Sequence, residues 1–168
     1  MTISELNAID KAAFVGLLGG VYEHSSWVAE QVASGRPFSH PEQLMDQMRL
    51  AVETSTPQRL LNLILAHPDL AGKLALAGEL TDDSRSEQTG AGLDRLTEDE
   101  FREFSDLNAR YREKFGFPFI ICVRKTDKAG ILASFRKRIG NSPAQEKAAA
   151  LSEIHEIARL RMEDLLAG

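Results

Sequence analysis

The sequence predicts an all-α fold, because helical spacing of apolar residues recurs along almost the whole chain and helix start and stop signals bound the segments. The clearest segment opens at Thr97, where Glu100 three residues later completes a capping box that satisfies free backbone N–H groups. One apolar stripe then follows at steps of three or four: Phe101, Phe104, Leu107, Tyr111 and Phe115. Gly116 ends the segment, since glycine readily adopts the positive φ that closes many helices.

Four helices are predicted in the first half of the chain, near Lys11–Leu18, Ser25–Ala33, Pro41–Val52 and Pro57–Ala66. Thr56 and Pro57 give the last of these a capping residue and a rigid first turn. Its apolar residues lie nearly all round the helix, which predicts that this helix is buried.

Two more helices are predicted in the second half, after a short extended segment near residues 118–123. Thr126 or Asp127 caps a helix that stops at Gly140, and Ser142 with Gln145 forms a second capping box that opens the last helix. The apolar stripes of these two helices are Ile131, Leu132, Phe135 and Ile139, then Leu151, Ile154, Ile157 or Ala158, and Leu165. No repeat or linker interrupts the pattern, so we expect one compact domain of about eight helices over residues 1–168.

Composition and charge narrow the class of function. The 168 residues are 43% hydrophobic and 27% charged, which is typical of a packed protein rather than a disordered chain. A net charge of −5 argues against nucleic-acid binding, and the run Arg136–Arg138 is expected to be a solvated basic patch. A single cysteine cannot form an internal disulfide. The apolar stretch Ala12–Tyr22 is too short to span a membrane and follows acidic residues, so we expect a cytoplasmic protein.

His67 breaks the helical pattern at the end of the apolar segment LLNLILA. Pro68 follows it and disfavours helical backbone geometry at His67, which places a titratable imidazole beside a rigid ring. An imidazole exchanges protons near neutral pH and can serve as a general acid or base. The alternative is a structural histidine that hydrogen-bonds the free carbonyls of the helix end.

The polar segment Thr81–Asp94 is long enough to line a site and carries Glu87 beside Gln88. A structural explanation competes, because Ser84 and Glu87 match a capping box that opens a helix. From the residues alone, this structural explanation is preferred. The glycines of the segment lack the third glycine and the preceding strand of a nucleotide-binding loop.

Arg161 lies on the apolar stripe of the last helix, seven residues after Ile154 and four before Leu165. A guanidinium that faces a core keeps its charge and needs an anion or several acceptors. A protein carboxylate, a bound substrate, or solvent reached by snorkelling would each meet that need.

The apolar run Phe119–Val123 has no strand to pair with in a helical protein. A small ligand rich in amide groups could satisfy its backbone, although local turns and core packing are the simpler solution. Cys122 is expected to be a small buried apolar residue, because no base or basic pair adjoins it in sequence.

Four segments of the chain form a specific combination in their order and separations: AHPDLAGK (66–73), SRSEQTGAGLD (84–94), LNARYREKFGFPFIICVR (107–124) and EIARLRMEDL (156–165). Together they resemble the 2-oxo-4-hydroxy-4-carboxy-5-ureidoimidazoline (OHCU) decarboxylase family. The resemblance covers nearly the whole chain. It implies an all-helical homodimer without metal or organic cofactor, a carboxy-lyase of purine metabolism. Such an enzyme acts in urate degradation after urate oxidase and 5-hydroxyisourate hydrolase, and forms S-(+)-allantoin with loss of carbon dioxide.

The resemblance also implies roles for individual residues. His67 matches the family's catalytic histidine, and Glu87 becomes its expected catalytic partner. The backbone of Phe119–Val123 is implied to contact the ureido and ring amides, and Arg161 an anionic or carbonyl group. The full set implied to bind substrate is Pro68, Ser84, Arg85, Ser86, Glu87, Gln88, Phe119, Ile120, Ile121, Cys122, Val123 and Arg161.

The chemistry fits these residue types. The OHCU carboxylate sits beside a ring C=N bond that takes up the electrons released by decarboxylation, so pyridoxal, thiamine or a metal is not required. We expect His67, supported by Glu87, to move the proton of the 4-hydroxyl group or to deliver one to the ring. One alternative is a helical interaction module that uses the Arg136–Arg138 helix. Another is an enzyme of the same fold that acts on a different ureide or hydantoin.

Overall fold

Short polar side chains open most helices of the computed structural model, which describes residues 1–167. Each of these side chains accepts a hydrogen bond from the backbone N–H three residues further along: Thr2, Asp10, His40, Thr56, Thr81, Thr97, Asp127 and Ser142. Such caps satisfy N–H groups that have no partner in the first turn, and so they fix where each helix begins.

The helices of residues 1–167 are α1 Ile3–Ala8, α2 Lys11–Leu18, α3 Trp27–Val32, α4 Pro41–Glu53, α5 Pro57–Leu65, α6 Lys73–Leu76, α7 Asp82–Gly90, α8 Glu98–Phe115, α9 Lys128–Arg138 and α10 Pro143–Ala167. Short 3-10 turns form at Ala33–Gly35 and Val123–Lys125, and no strand forms in this part of the chain. The all-α prediction is confirmed, and residues 118–122 form the expected non-helical segment. None of the described helices is both long and apolar enough to cross a membrane.

Several predicted boundaries are confirmed by their caps. Helix α2 has the predicted bounds, and Asp127 rather than Thr126 caps α9. Thr97 and Glu100 form the predicted capping box of α8, and Gly116 closes that helix with a φ of +77°. The second predicted box, at the start of α10, is also present.

Two helices lie outside the sequence prediction, namely α1 and α6, and the start of α7 differs from the predicted one. Helix α1 opens with a capping box of Thr2 and Glu5, a signal that the sequence does carry. Helix α7 begins earlier than a box at Ser84 and Glu87 would place it, because the Thr81 hydroxyl accepts from the Ser84 N–H. Ser84 is therefore buried inside the helix, and its predicted capping role is wrong.

Contacts along the chain define two compact units. One consists of Met1–Ala66 together with the residues from His155 onward, and the other of His67–Ile154. Helix α10 therefore supplies residues to both. The expectation of one domain over residues 1–168 stays a prediction.

The first unit packs apolar side chains of α1 to α5 with the end of α10. Helix α3 contacts both α2 and α4. The large buried side chains include Leu6, Phe14, Leu18, Tyr22, Leu44, Met48 and Ile64. Helix α5 buries Leu63 and Ile64 but leaves Leu65 41% exposed, as well as its polar residues Arg59 and Asn62. The prediction that α5 is buried all round is therefore wrong, because one face of the helix is polar.

An aromatic cluster forms the core of the second unit. The Tyr111 ring of α8 lies edge-on to Phe117, Phe119 and Phe135, at centroid distances of 6.0, 5.5 and 5.8 Å. Phe119 stacks on Phe135 of α9 with the centroids 3.9 Å apart and the planes 8° apart. Because rings in such arrangements attract one another beyond simple burial, the cluster fixes the extended segment against α8 and α9.

We expect Gly116→Ala to lower the free energy of unfolding by about 1 kcal/mol, because a Cβ strains the left-handed backbone. No atom lies within 4 Å of the added Cβ, so the cost is that of the backbone alone. Gly16→Ala, inside α2, also meets open space and should instead raise the stability by about 0.5 kcal/mol. Urea denaturation of both variants measures the difference, and equal effects would contradict this account of the α8 end.

A buried histidine pairs with a tyrosine in the first unit. The His155 Nδ1 lies 2.8 Å from the Tyr22 hydroxyl, while its Nε2 is buried without a hydrogen bond in the described part of the chain. The Glu53 carboxylate lies 3.5 Å from Nε2. Burial, reinforced by the positive charge of Arg49, lowers the pKa of His155 against the opposing effect of Glu53.

The pH dependence of stability follows from that direction. Because the folded chain protonates His155 less readily than the unfolded chain, the contribution is complete above the unfolded pKa of about 6.5 and is lost as the pH falls. We expect urea midpoints between pH 7.5 and pH 5 to fall less steeply in His155→Gln than in the wild-type protein. Identical slopes would show that His155 does not titrate differently on unfolding.

Candidate active site

His67 lies just beyond the end of α5, whose last helical residue is Leu65. The break before Pro68 is confirmed, and the His67 side chain is buried, with 6% of the residue exposed. Pro68 beside it is half-buried. A titratable ring therefore sits on non-helical backbone inside the protein, as the sequence predicts.

Two amide side chains clamp the loop that follows His67. The Gln88 Oε1 accepts from the Ala71 N–H at 3.0 Å, and the Gln88 Nε2 donates to the Asp69 carbonyl at 3.3 Å. The Asn108 Nδ2 of α8 donates to the Leu70 carbonyl at 2.9 Å. Three consecutive residues of irregular backbone are thus satisfied by side chains from α7 and α8, which makes the loop rigid.

The clamp supports a strained residue. Ala71 has a φ of +50°, a left-handed conformation that costs about 1 kcal/mol for a residue with a Cβ. An ion pair between Asp69 and Arg112, 2.9 Å apart, ties the same loop to α8. The sequence offers no signal for these contacts, because Gln88 is 17 residues from Ala71 and Arg112 is 43 residues from Asp69.

The predicted run Ser84–Gln88 forms most of α7 and divides between two faces. Ser84 and Gln88 are buried, and Glu87 is half-buried on the same side, as spacings of three and four predict. Arg85 and Ser86 are exposed instead. The Arg85 guanidinium donates to the Leu80 carbonyl at 3.2 Å and pairs with the Asp82 carboxylate.

Side chains make the hydrogen bonds to the backbone of the extended segment that a neighbouring strand would make in a sheet. The Ile120 carbonyl accepts from Arg138 at 2.7 Å, and the Cys122 N–H donates to Glu153 at 3.0 Å. Between them, half-buried Ile121 makes no backbone hydrogen bond to any other part of the described chain. Side chains thus satisfy the backbone groups on either side of Ile121. The N–H and C=O of Ile121 itself can bind other partners.

The remaining residues of the extended segment are placed as the sequence predicts. Phe119 and Val123 are buried, and Cys122 is a buried cysteine outside any disulfide, as expected of a small apolar residue. The 3-10 turn Val123–Lys125 contacts α7, so the end of this segment lies beside the helix that carries Glu87.

Arg161 belongs to the first unit and pairs with a carboxylate there. One guanidinium nitrogen lies 2.8 Å from Glu23 and 3.1 Å from the Gly20 carbonyl, and Arg161 is only 6% exposed. Of the three possibilities for this arginine, the protein carboxylate is confirmed and snorkelling to solvent is wrong. Glu23 is 138 residues away in sequence, so no local pattern identifies it.

The basic run on α9 is only partly a solvated patch. Arg136 and Lys137 are exposed, and Arg136 pairs with Glu103. Arg138 is buried and pairs with Glu146, so the prediction of a solvated patch is wrong for this residue. Two of its three charges are therefore paired with carboxylates of the protein.

A cavity of about 640 Å³ lies among α6, α7 and the start of α8. Gln88 and Arg85 of the predicted substrate set line it, next to Ala71 and Phe101. Within residues 1–167, no three His, Cys, Asp or Glu side chains are arranged to hold a metal ion.

Comparison with known proteins decides the family. The sequence model of the family described as OHCU decarboxylase matches residues 7–163. The chain belongs to the OHCU decarboxylase family. Relatives named as OHCU decarboxylases cover nearly the full chain, so this is a family of lyases, and one related protein is named for uric acid degradation.

The similarity to individual OHCU decarboxylase relatives is extensive. The 2-oxo-4-hydroxy-4-carboxy-5-ureidoimidazoline decarboxylase of Haloferax volcanii is 40% identical over 164 residues, 98% of this chain and 95% of that protein. The uric acid degradation bifunctional protein of a Bacillus species is 39% identical, over 98% of this chain but 32% of its own length. The solved structure of (S)-allantoin synthase is similar to this chain, with a TM-score of 0.80 and 32% identity. That match covers 99% of this chain and 54% of the synthase chain.

We expect Gln88→Met to lower the free energy of unfolding by about 2 kcal/mol, because it leaves the buried Ala71 N–H without an acceptor. Gln58→Met is the matched control, since Gln58 is exposed and its side chain donates to Asn62 on the surface of α5. Urea denaturation and amide hydrogen exchange at Ala71 measure the effect. Unchanged exchange at Ala71 in Gln88→Met would show that the clamp does not hold the loop.

Proposed function

We propose that this chain catalyses the decarboxylation of OHCU to S-(+)-allantoin in urate degradation. The observation that carries the proposal is the family match over residues 7–163, which includes all the predicted site residues. The names of the relatives point the same way, since one is an OHCU decarboxylase and another an (S)-allantoin synthase.

His67 is proposed as the proton donor and acceptor. Its burial and its non-helical backbone support this role, because a side chain on a rigid support keeps one orientation toward a reacting group. The rigidity comes from the loop that follows it, because Gln88 and Asn108 hydrogen-bond the backbone of residues 69–71.

Glu87 is proposed as the carboxylate that supports His67. It lies on the inner side of α7 with Ser84 and Gln88, and Gln88 ties this helix to the loop after His67. A carboxylate partner selects one imidazole tautomer and stabilises the imidazolium that forms during proton transfer.

The reaction balances with these two residues. The bond between the ring carbon and the carboxylate breaks, carbon dioxide leaves, and the electron pair enters the adjacent C=N unit. The 4-hydroxyl group loses its proton as it becomes a carbonyl, while the ring nitrogen of the C=N unit and the neighbouring carbon each gain one, so one proton in net is taken from solvent. His67 takes the hydroxyl proton or delivers a proton to the ring, and delivery to the carbon on one face produces a single enantiomer.

Substrate binding is assigned to Pro68, to the α7 run and to the extended segment. Ile121 supports this assignment, because its free N–H and C=O match the donor and acceptor of a ureide. Arg161 is proposed to bind an anionic or carbonyl group of the substrate, with Glu23 fixing the orientation of the guanidinium. A cytoplasmic homodimer acting after urate oxidase and 5-hydroxyisourate hydrolase, without metal or organic cofactor, completes the proposal.

The test follows the product by circular dichroism. OHCU is generated in place from urate with urate oxidase and the hydrolase, and the chain is then added. We expect rapid formation of dextrorotatory allantoin, reduced about a hundredfold or more in His67→Asn and in Glu87→Gln, since general acid–base catalysis contributes that much.

Two matched variants serve as controls. His40→Asn changes an exposed histidine and keeps a good helix cap, and Glu113→Gln neutralises an exposed carboxylate of α8. Both should retain the wild-type rate. Decay of OHCU to racemic allantoin at its spontaneous rate would overturn the decarboxylase proposal and direct the search to another ureide or hydantoin.

A further inference from the structure

A buried polar cluster lies beneath the extended segment of the second unit. Glu146 of α10 is completely buried and accepts three hydrogen bonds: from the Tyr111 hydroxyl at 2.5 Å, from Arg138 Nε at 2.9 Å and from Asn141 Nδ2 at 2.9 Å. Its carboxylate is thus satisfied by three side chains. Burial, with the hydrogen bond to Glu146, raises the pKa of Tyr111, so the phenol stays a donor.

Arg138 links this cluster to the backbone of the extended segment. Its Nη1 donates to the Ile120 carbonyl at 2.7 Å, and its guanidinium lies 4.4 Å from the centroid of the Phe119 ring. That ring is in turn stacked on Phe135. One side chain therefore touches two consecutive residues of the segment, through a hydrogen bond and through a cation–π contact.

Stability alone explains this arrangement poorly. The Arg138 Nη2 is buried with no hydrogen bond to any group in residues 1–167, and an unsatisfied donor on a charged group is costly. Burying an ion pair is often no more stabilising than packing apolar residues of similar volume. What apolar residues could not supply is the donor to the Ile120 carbonyl.

We propose that Arg138, oriented by Glu146 and Tyr111, is a positioning residue that sets the backbone of Phe119–Val123 for ureide binding. The inference rests on the proposed function, because it assigns a purpose to the segment that contacts the substrate. Arg138 donates to the carbonyl of Ile120, and Glu153 accepts from the N–H of Cys122. The peptide groups on both sides of Ile121 are thus fixed. The free donor and acceptor of Ile121 are therefore presented in one fixed orientation.

The test separates positioning from stability. Arg138→Met and Glu146→Gln each leave one buried partner uncompensated, and both should lower the urea midpoint. The double variant carries neither charge and should recover most of that loss. It still lacks the donor to Ile120, so we expect its KM for OHCU to stay about tenfold above the wild-type value while kcat changes less.

Arg136→Met is the matched control on the same helix, because Arg136 is exposed and pairs with Glu103. It should leave KM unchanged. Tyr111→Phe guards against a double variant that does not fold, since it removes one hydroxyl and keeps the aromatic core. We expect it to raise KM about twofold, in the same direction as the double variant.

Amide hydrogen exchange gives a readout that does not need the decarboxylase activity. With the anchor lost, the amide of Cys122, which donates to Glu153, should exchange faster in the variants than in the wild-type protein and in Arg136→Met. A folded double variant with wild-type KM and wild-type exchange overturns the inference. If the wild-type protein does not act on OHCU, the proposed function fails, and exchange alone then decides whether Arg138 sets this segment.

Discussion

Two irregular segments place buried backbone N–H and C=O groups outside any helix, and the rest of the structure around the candidate site depends on how those groups are satisfied. The loop after His67 uses amide side chains of α7 and α8. The segment Phe119–Val123 uses Arg138 and Glu153. In both places a helix side chain takes the part that a neighbouring strand would take in a sheet.

Energetically unfavourable features of the structure lie in these two irregular segments and the side chains that bond to them. Ala71 holds a left-handed backbone conformation, while Asn108 Oδ1 and Arg138 Nη2 are buried without hydrogen bonds in the described part of the chain. The apolar cores elsewhere, such as the rings around Tyr111, are packed in favourable geometry. Strain at a site that the remaining structure supports is the pattern expected where function, not stability, fixes the geometry.

Local signals account for what the sequence predicts correctly. The capping box at Thr97, the positive φ of Gly116 and the break at His67 each depend on residues within a few positions of one another. Long-range partners account for what it misses. Nothing near Arg161 points to Glu23, and nothing near Arg138 indicates that its charge is buried, because both pairings exist only once the helices have packed. These local signals leave the role of His67 open between catalysis and structure and favour a helix cap for Glu87, whereas the family resemblance implies catalytic roles for both.

The clamp behind His67 has one further property, which follows from its chemical type. Gln88 and Asn108 carry neutral amide groups, which neither gain nor lose a proton between acid and alkaline pH. Their hydrogen bonds to the loop backbone therefore do not depend on pH. A carboxylate or an imidazole in either place would compete for the protons that the proposed chemistry moves. These two amide contacts therefore stay uncharged and unchanged when the His67 ring exchanges a proton.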